Sequence, residues 1–262
     1  MLGVASPRDV ALLDVLTLEH LDRDLHRSTV LFQEQEALFG GQVAAQALLA
    51  AGASVPAGRV PHSLHGYFLR PGDSSEPVVF SVERDRDGRS FSARRVVARQ
   101  DGAVILNLSA SFHEVDPDAP DETGLPAPAP TQAAEVSVPP RLIGFEQRLT
   151  SQPTHSHPTQ AWLRCTEVMP DDPLLHAAVL TYLSDIHSGH GSLASSAGRR
   201  QSTLDHAVWF HRPGRADRWV LMDLQTRAVT QGRGLYTGGL WTEQGELVAS
   251  LAQETLYRTR KA

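Results

Sequence analysis

The hexapeptide YFLRPG at residues 67–72 returns, slightly altered, as WFHRPG at residues 209–214, so that the two final glycines stand 142 positions apart. Two glycine turns repeat at nearly the same distance, and the matched pairs are DGRS (87–90) with QGRG (231–234) and QDGAV (100–104) with EQGEL (243–247). Internal repeats at a fixed distance are the sequence signature of a repeated structural unit. The chain of 262 residues is therefore predicted to contain two copies of one unit.

Each copy presents the same order of predicted elements. A helix rich in small residues is predicted at GGQVAAQALLAAG (40–52) and again at DDPLLHAAVLTYLSD (171–185). The second begins with Asp171 and Asp172 before Pro173, a pattern typical of a helix start. Strands follow each helix, and the turns DRDGRS and RQDGAV predict antiparallel hairpins because Asp-Gly supplies the positive φ that such turns need. We therefore predict an α+β fold of two units, each with one antiparallel sheet around one helix, associated about a pseudo-two-fold axis.

A proline-rich segment at residues 114–141 separates the copies and holds 7 of the 17 prolines in the chain. Proline lacks the N–H group that helices and sheets require, so a segment of this density is predicted to be an extended linker. The chain is accordingly divided into an N-terminal unit at 1–113, the linker, and a C-terminal unit at 142–262.

The composition excludes several classes of partner. A net charge of −6 does not fit the basic surface that binding to nucleic acids requires. Cys165 is the single cysteine, so an internal disulfide is impossible and a reducing compartment fits. Neither a secretory signal nor an apolar run of membrane-spanning length is seen. We expect a cytoplasmic protein with no nucleic-acid partner and no stable membrane association.

The chain contains 12 histidines, some of them in close pairs such as HSLH (62–65), HSH (155–157) and HSGH (187–190). None of these pairs stands beside a cysteine or a carboxylate cluster at the spacing of a zinc site. We therefore expect neither a metal site nor a cofactor.

The last predicted strand differs between the two copies. In the first copy, alternation places five apolar residues on the core face: Val104, Leu106, Leu108, Ala110 and Phe112. In the second copy, Gln253 takes the position of Ala110. A buried amide without partners costs about 1–3 kcal/mol. Gln253 is therefore either exposed at a frayed strand end or part of a polar site.

Asp185 raises a similar question at the end of the second predicted helix. It follows Leu174 by eleven residues, which places it about 20° from that residue around the helix, on the stripe of Ala178 and Thr181. The helix dipole is unfavourable for an anion at this end. Asp185 has either turned toward solvent or is a carboxylate kept for a function.

Six stretches of the chain together resemble the acyl-CoA thioesterase II family, from about residue 30 to the C-terminus: LFGGQVAAQALLAA, HSLHGYFLRPGD, DGRSFSARRVVARQDG, YLSD, LDHAVWFHRP and GELVASLAQETLYR. The resemblance implies a double-hotdog fold and a catalytic set of Asp, Thr and Gln. These are here Asp185 in YLSD, Thr203 in STLDH and Gln253 in AQET. Thr203 is identified only through the resemblance. The segment IHSGHGSLASSAGRRQ (186–201) lacks the aromatic residue and the proline usual in the family, which leaves the range of acyl chains open.

The resemblance implies that fatty acyl-CoA is hydrolysed to free fatty acid and coenzyme A by a water molecule held between the three residues. Backbone N–H groups near Gly40 and Gly41, where the first helix is predicted to begin, are candidates for receiving the thioester oxygen. The side chains of Arg94, Arg95 and Arg233 are candidates for contacts with the phosphates of coenzyme A.

Two alternative functions also fit a hotdog fold. An enoyl-CoA hydratase would transform the substrate without releasing a thiol, and a non-catalytic acyl-CoA-binding protein would bind acyl-CoA without converting it. Sheet edges of such folds often pair with one another, so a homo-oligomer, a dimer or a tetramer, is expected.

Overall fold

The computed structural model describes residues 4–5, 10–32, 37–129, 136–137, 144–151, 159–187 and 199–259. The helices among these residues are α1 (Leu12–Leu16), α2 (Gly40–Gly52) and α3 (Pro173–Ser184). The strands are β1 (Val4–Ala5), β2 (Leu18–Asp22), β3 (Leu25–Ser28), β4 (Leu31–Phe32), β5 (Arg59–Phe68), β6 (Val79–Asp87), β7 (Phe91–Gln100), β8 (Ala103–Glu114), β9 (Val136–Ser137), β10 (Phe145–Ser151), β11 (Thr159–Cys165), β12 (Arg199–Thr203), β13 (Asp205–Phe210), β14 (Val220–Thr230), β15 (Arg233–Thr242) and β16 (Leu247–Thr259).

One large antiparallel sheet runs through both units. Its strand order is β2-β3-β6-β7-β8-β5-β13-β16-β15-β14-β11-β10-β9, and β12 pairs with β16 beside this path. The order is symmetric about the central pair, because β6-β7-β8-β5 in the first unit is mirrored by β14-β15-β16-β13 in the second. At this pair Tyr67 lies opposite Asp205, and Ser63 lies opposite Trp209. The predicted pair of helix-and-sheet units is confirmed.

The two long helices pack against each other as antiparallel neighbours. A Cβ atom on Gly41 would lie 2.8 Å from the backbone oxygen of Tyr182, near the end of α3. A Cβ atom on Gly52 would collide with the side chain of Leu174, near the start of α3. Glycine at both positions therefore permits close contact, and the start of α2 lies beside the end of α3.

The start of α3 forms as its sequence predicts. The side chain of Asp172 accepts hydrogen bonds from the backbone N–H groups of Leu174, at 2.9 Å, and Leu175, at 3.4 Å. Pro173 occupies the first helical position, where its missing N–H group is not needed. Phe39 precedes α2 and provides no side-chain cap.

The hairpin predictions are confirmed, with one local exception. Asp101 and Gly102, at the turn between β7 and β8, have φ values of 44° and 73°. The strands β6 and β7 also pair antiparallel, but the backbone of Gly88 does not adopt a positive φ. The N–H group of Gly88 instead donates to the backbone oxygen of Phe91 at 2.8 Å, which closes a turn that needs no left-handed residue.

The linker lies against the second unit in the part that the structure describes. Residues 115–129 contain no helix or strand, and most of them are exposed. Arg212 donates to Asp121 at 3.1 Å and to Thr123 at 3.0 Å, so this stretch is attached to the strand end that precedes Gly214. The rest of the predicted linker lies outside the described residues, apart from β9.

Candidate active site

Asp185 is the C-cap of α3, directly after Ser184, and it is half-buried. Its Oδ2 atom faces the start of α2, because a Cβ atom on Gly40 would lie only 2.9 Å from it. The same Cβ atom would lie 3.1 Å from the ring of Phe68. The antiparallel contact of the helices therefore brings together Asp185 and Gly40, two residues that the sequence analysis had proposed separately.

This arrangement offers an electrostatic explanation for a carboxylate at a helix C-terminus. The dipole of α3 disfavours an anion there, but the N-terminus of α2 lies alongside and has the opposite sign. The first N–H groups of an α-helix have no acceptor within the helix and attract negative charge. The start of α2 thus offsets the unfavourable end of α3.

Thr203 and Gln253 lie next to each other on neighbouring strands. Thr203, at the end of β12, is opposite Thr255 of β16, two positions beyond Gln253. The Nε2 atom of Gln253 is 3.1 Å from the Oγ1 atom of Thr203. Gln253 is only 3% exposed, and β16 continues to Thr259, so the frayed-end alternative for Gln253 is wrong.

Leu204 and Phe68 connect this pair to the helix ends. The N–H group of Leu204 donates to the backbone oxygen of Glu254 at 2.9 Å, which fixes Thr203 beside β16. The backbone oxygen of Leu204 accepts from the N–H group of Phe68 at 2.9 Å, and the ring of Phe68 packs against Gly40. Thr203 and Gln253 therefore lie on the same side of the molecule as Asp185 and the start of α2.

His206 is a buried residue of this region to which the sequence analysis gave no role. It is 1% exposed, and its Nε2 atom lies 2.8 Å from the Oγ atom of Ser184, the residue before Asp185. Burial lowers the pKa of His206, while the charge of Asp185 and the amide of Gln253 act in the opposite direction. The alternation of β13 contains the missed signal, since His206 shares an inward face with Val208.

Three buried polar atoms here have no hydrogen-bond partner among the described residues: Gln253 Oε1, His206 Nδ1 and Thr255 Oγ1. Buried polar atoms of native proteins are nearly always paired, and the exceptions often belong to sites where a ligand or water binds. Tyr236 lies opposite Gln253, and both burial and the charge of Asp185 hold the pKa of its phenol well above the usual value. Its hydroxyl group therefore stays protonated.

Two family models match the chain, one for each half. The acyl-CoA thioesterase N-terminal domain matches residues 31–113, and the acyl-CoA thioesterase C-terminal domain matches residues 110–257. Human acyl-coenzyme A thioesterase 8 is 33% identical over 288 residues, covering 97% of this chain and 90% of that protein. The chain belongs to the acyl-CoA thioesterase II family.

Solved structures support the family and its fold. Acyl-CoA thioesterase II TesB2 from Mycobacterium marinum is 36% identical, with a TM-score of 0.80 over 95% of this chain and 98% of that one. A protein from Alicyclobacillus acidocaldarius described as having the hot dog fold is 22% identical, with a TM-score of 0.77 over 95% of this chain and 98% of that one. The double-hotdog fold implied by the resemblance is confirmed.

The arginines considered for coenzyme A differ sharply in their accessibility. Arg94 is 1% exposed and donates to Asp87 and Ser54 inside the first unit, so the expectation that it meets phosphates is wrong. Arg95 is exposed but pairs with Glu83, and exposed Arg233 pairs with Glu254 at 3.4 Å. These two remain on the surface of the thioesterase fold, each beside a carboxylate.

The histidine pairs are involved in other contacts where they are described. His62 lies 2.7 Å from the hydroxyl group of Ser111, and His65 packs edge-on against Trp209. HSH (155–157) and His190 lie outside the described residues. Within the described ranges, no group of three or more His, Cys, Asp or Glu side chains is placed to hold a metal ion. No helix of these ranges is long and apolar enough to cross a membrane.

Proposed function

We propose that this member of the acyl-CoA thioesterase II family hydrolyses fatty acyl-CoA to free fatty acid and coenzyme A. Asp185, Thr203 and Gln253 would hold the water molecule that attacks the thioester. The observation that carries the proposal is the junction of the two units, where Asp185 Oδ2 lies against Gly40 and the hydrogen-bonded pair of half-buried Thr203 and buried Gln253 lies on the adjoining strands.

The three side chains have different roles toward the water molecule. Asp185 accepts a proton as the general base while the water oxygen forms a bond to the thioester carbon. Thr203 and Gln253 fix the water by hydrogen bonds, so that its attack requires little further ordering. When the carbon–sulfur bond breaks, the proton on Asp185 passes to the sulfur of the leaving coenzyme A.

The start of α2 is proposed to stabilise the developing oxyanion. Gly40 and Gly41 carry backbone N–H groups of the first helical turn, and groups of this kind have no intrahelical acceptor. Preorganised N–H donors at a helix N-terminus stabilise negative charge on the thioester oxygen. A side chain at Gly40 would press on both Asp185 and Phe68, so glycine keeps this corner open to the substrate.

The cellular location and the oligomeric state of the protein stay predictions. We propose a cytoplasmic protein and a homo-oligomer, a dimer or a tetramer, with acyl-CoA as its substrate.

The proposal is tested by following thiol release from a series of acyl-CoA esters with the wild type and with Asp185→Asn. The substitution removes the base and keeps the shape of the side chain, so we expect kcat to fall about 10²–10⁴-fold with KM nearly unchanged. Asp172→Asn is the matched control, because it alters the aspartate at the opposite end of the same helix and should leave kcat at the wild-type level.

Three outcomes would contradict parts of the proposal. Wild-type turnover by Asp185→Asn would exclude Asp185 as the base. Binding of acyl-CoA without thiol release at any chain length would indicate a binding protein. Consumption of enoyl-CoA without thiol release would indicate a hydratase.

A further inference from the structure

His206 is a fully buried polar residue that the proposed chemistry does not use. It lies on β13 between the end of α3 and strand β16, so it touches the elements that carry two of the three proposed catalytic residues. Its two ring nitrogens face in different directions. Nε2 meets Ser184 at 2.8 Å, and the ring lies against the amide of Gln253.

The hydrogen bonds of Ser184 indicate which ring nitrogen of His206 carries the proton. The Oγ atom of Ser184 donates to the backbone oxygen of Thr181 at 2.8 Å. A hydroxyl group has a single proton, so toward His206 the same oxygen must accept. On this count we assign the proton of the neutral ring to Nε2, which leaves Nδ1 as an acceptor. Burial favours this neutral ring by lowering the pKa of His206.

The remaining acceptor of His206 lies in the same region as a second unused acceptor. The amide oxygen of Gln253 faces the His206 ring, where it favours the protonated ring, but neither Gln253 Oε1 nor His206 Nδ1 meets the geometry of a hydrogen bond to a described residue. An amide rotated by 180° occupies the same volume with its oxygen and nitrogen exchanged. In the rotated form the Gln253 amide nitrogen donates to His206 Nδ1, and its oxygen accepts from the hydroxyl group of Thr203. Both buried acceptors are then paired.

We propose that His206 is a positioning residue that fixes the orientation of the Gln253 amide and links it to the helix end carrying Asp185. The hydrogen bonds then run in one direction, from Thr203 to Gln253, from Gln253 to His206, from His206 to Ser184, and from Ser184 to the backbone of α3. This inference rests on the proposed function, because its consequence is the placement of the attacking water.

The direction of these bonds defines how the water is held. The hydroxyl proton of Thr203 is used by Gln253, so the Thr203 oxygen can only accept from the water. The second N–H bond of the Gln253 amide donates to the water oxygen, and Asp185 accepts the other water proton. Both protons and one lone pair of the water are then engaged, which leaves one lone pair for the thioester carbon. With the opposite amide orientation, Thr203 would donate to the water instead of accepting from it.

The test compares His206→Gln with His206→Asn in steady-state assays of acyl-CoA hydrolysis. The Gln side chain reaches the position of Nε2 and keeps the contact with Ser184, but it offers no acceptor at the position of Nδ1. The Asn side chain offers an acceptor at the position of Nδ1 but does not reach Ser184. We expect His206→Gln to lower kcat 10- to 100-fold with KM unchanged, and we expect His206→Asn to recover part of that loss by accepting from Gln253.

The effect of His206→Gln should disappear when Gln253 is already missing. In a Gln253→Ala background we expect His206→Gln to change kcat less than 2-fold, because no amide remains to be oriented. His211→Gln is the matched control, since His211 also places Nε2 2.8 Å from a serine hydroxyl group, that of Ser250, but is exposed. Its kcat and KM should equal those of the wild type.

The outcomes separate this inference from the proposed function. An equal loss of kcat from His206→Gln in both backgrounds, or no loss at all, overturns the positioning role while thiol release by the wild type still stands. Absence of thiol release from the wild type overturns the proposed function and this inference with it. If His206→Gln does not fold, Ser184→Ala replaces it, with an expected 3- to 10-fold loss of kcat that also vanishes in the Gln253→Ala background.

Discussion

Two buried polar groups of this thioesterase, Arg94 in the first unit and the neighbouring Gln253 and His206 in the second, differ in how completely they are paired. In the first unit the guanidinium group of Arg94 donates to Asp87 at 2.7 Å, to both oxygens of Ser54 at 2.7 and 3.0 Å, and to the backbone oxygen of Arg86 at 3.0 Å. In the second unit, Gln253 and His206 each retain a buried acceptor without a partner among the described residues.

The difference in pairing distinguishes buried polar groups that stabilise the fold from those proposed to take part in catalysis. A buried charge is tolerated when every donor is satisfied, and its role is then structural. The Gln253 amide pairs with His206 and Thr203 only in its rotated form, and it then keeps one N–H bond for the attacking water. Arg94 thus supports the fold of the first unit, whereas Gln253 and His206 lie at the proposed catalytic site.

The largest effect on stability is expected at Arg94. Arg94→Met removes the buried cation and leaves the carbonyl group of Ser54 without its donor, while Asp87 keeps the hydrogen bond from Ser92, so the free energy of unfolding should fall by about 3 kcal/mol. The kcat of the remaining folded enzyme should not change. Urea denaturation and thiol release measure the two quantities. Arg95→Met, at the exposed neighbouring position, should alter stability by less than about 0.5 kcal/mol.

Replacing two buried glutamines by leucine, one at a time, tests the same contrast between structural and catalytic polar groups. Gln253→Leu makes the core face of β16 resemble that of β8, and kcat should fall about 100-fold while stability stays the same or rises. Gln100 is bonded to the backbone of Asp73 and Glu76. Gln100→Leu should therefore lower the free energy of unfolding by about 2 kcal/mol and leave kcat unchanged. Loss of activity in both variants would remove the distinction.

The two ends of α3 should respond in opposite ways. Asp172→Ala removes the cap at the start of α3 and should lower the free energy of unfolding by about 1 kcal/mol, with kcat intact. Asp185→Asn should lower kcat and leave the free energy of unfolding nearly unchanged. Thermal unfolding beside thiol release measures the pair, and a large loss of kcat in Asp172→Ala would show that both ends of the helix matter for chemistry.

The smallest expected difference is in the response to acid. Burial lowers the pKa of His26 and His62 in the first unit, and it also lowers the pKa of four histidines in the second: His176, His187, His206 and His211. A histidine with a lowered pKa binds fewer protons folded than unfolded, so its contribution is complete above pH 6.5 and is lost as the pH falls toward the folded pKa, about 4 for His187.

The second unit should therefore lose stability more steeply between pH 6.5 and pH 5. All four tryptophans lie in the second unit, at positions 162, 209, 219 and 241, so their fluorescence reports mainly on it, although Trp209 also touches His65 of the first unit. Denaturant midpoints from tryptophan fluorescence should fall more with acid than those from hydrogen exchange of β7 and β8. Equal shifts in both measurements would contradict this prediction.

Much of the fold could be predicted because its determinants are local. The limits of α2 follow from a run of small residues between glycines, and those of α3 follow from the Asp172–Pro173 cap. The face of β8 that contains Leu106, Leu108 and Phe112 is buried as the alternation predicts. Two predictions were wrong, and each has a physical reason. Gly88 closes its turn without a positive φ, and Arg94 is buried because Asp87 and Ser54 neutralise and bind it.

The candidate site was only partly predictable from pattern. Asp185 and Gln253 could be singled out because each places a polar group on an apolar face. Thr203 could not, since a threonine at a strand end is ordinary, and only the family resemblance identified it. His206 was overlooked, although a buried histidine beside Val208 breaks the apolar pattern of β13 in the same way.

The sequence by itself determined the repeat, the two helices, the strand faces and the family, because hydrophobic periodicity, caps and turn residues act over a few positions of the chain. Only the tertiary structure decided which residues meet. The contact of Asp185 with Gly40 joins positions 145 residues apart, and it exists because Gly41 and Gly52 let two antiparallel helices touch. Pairing over such distances depends on packing between whole elements, which no local pattern encodes.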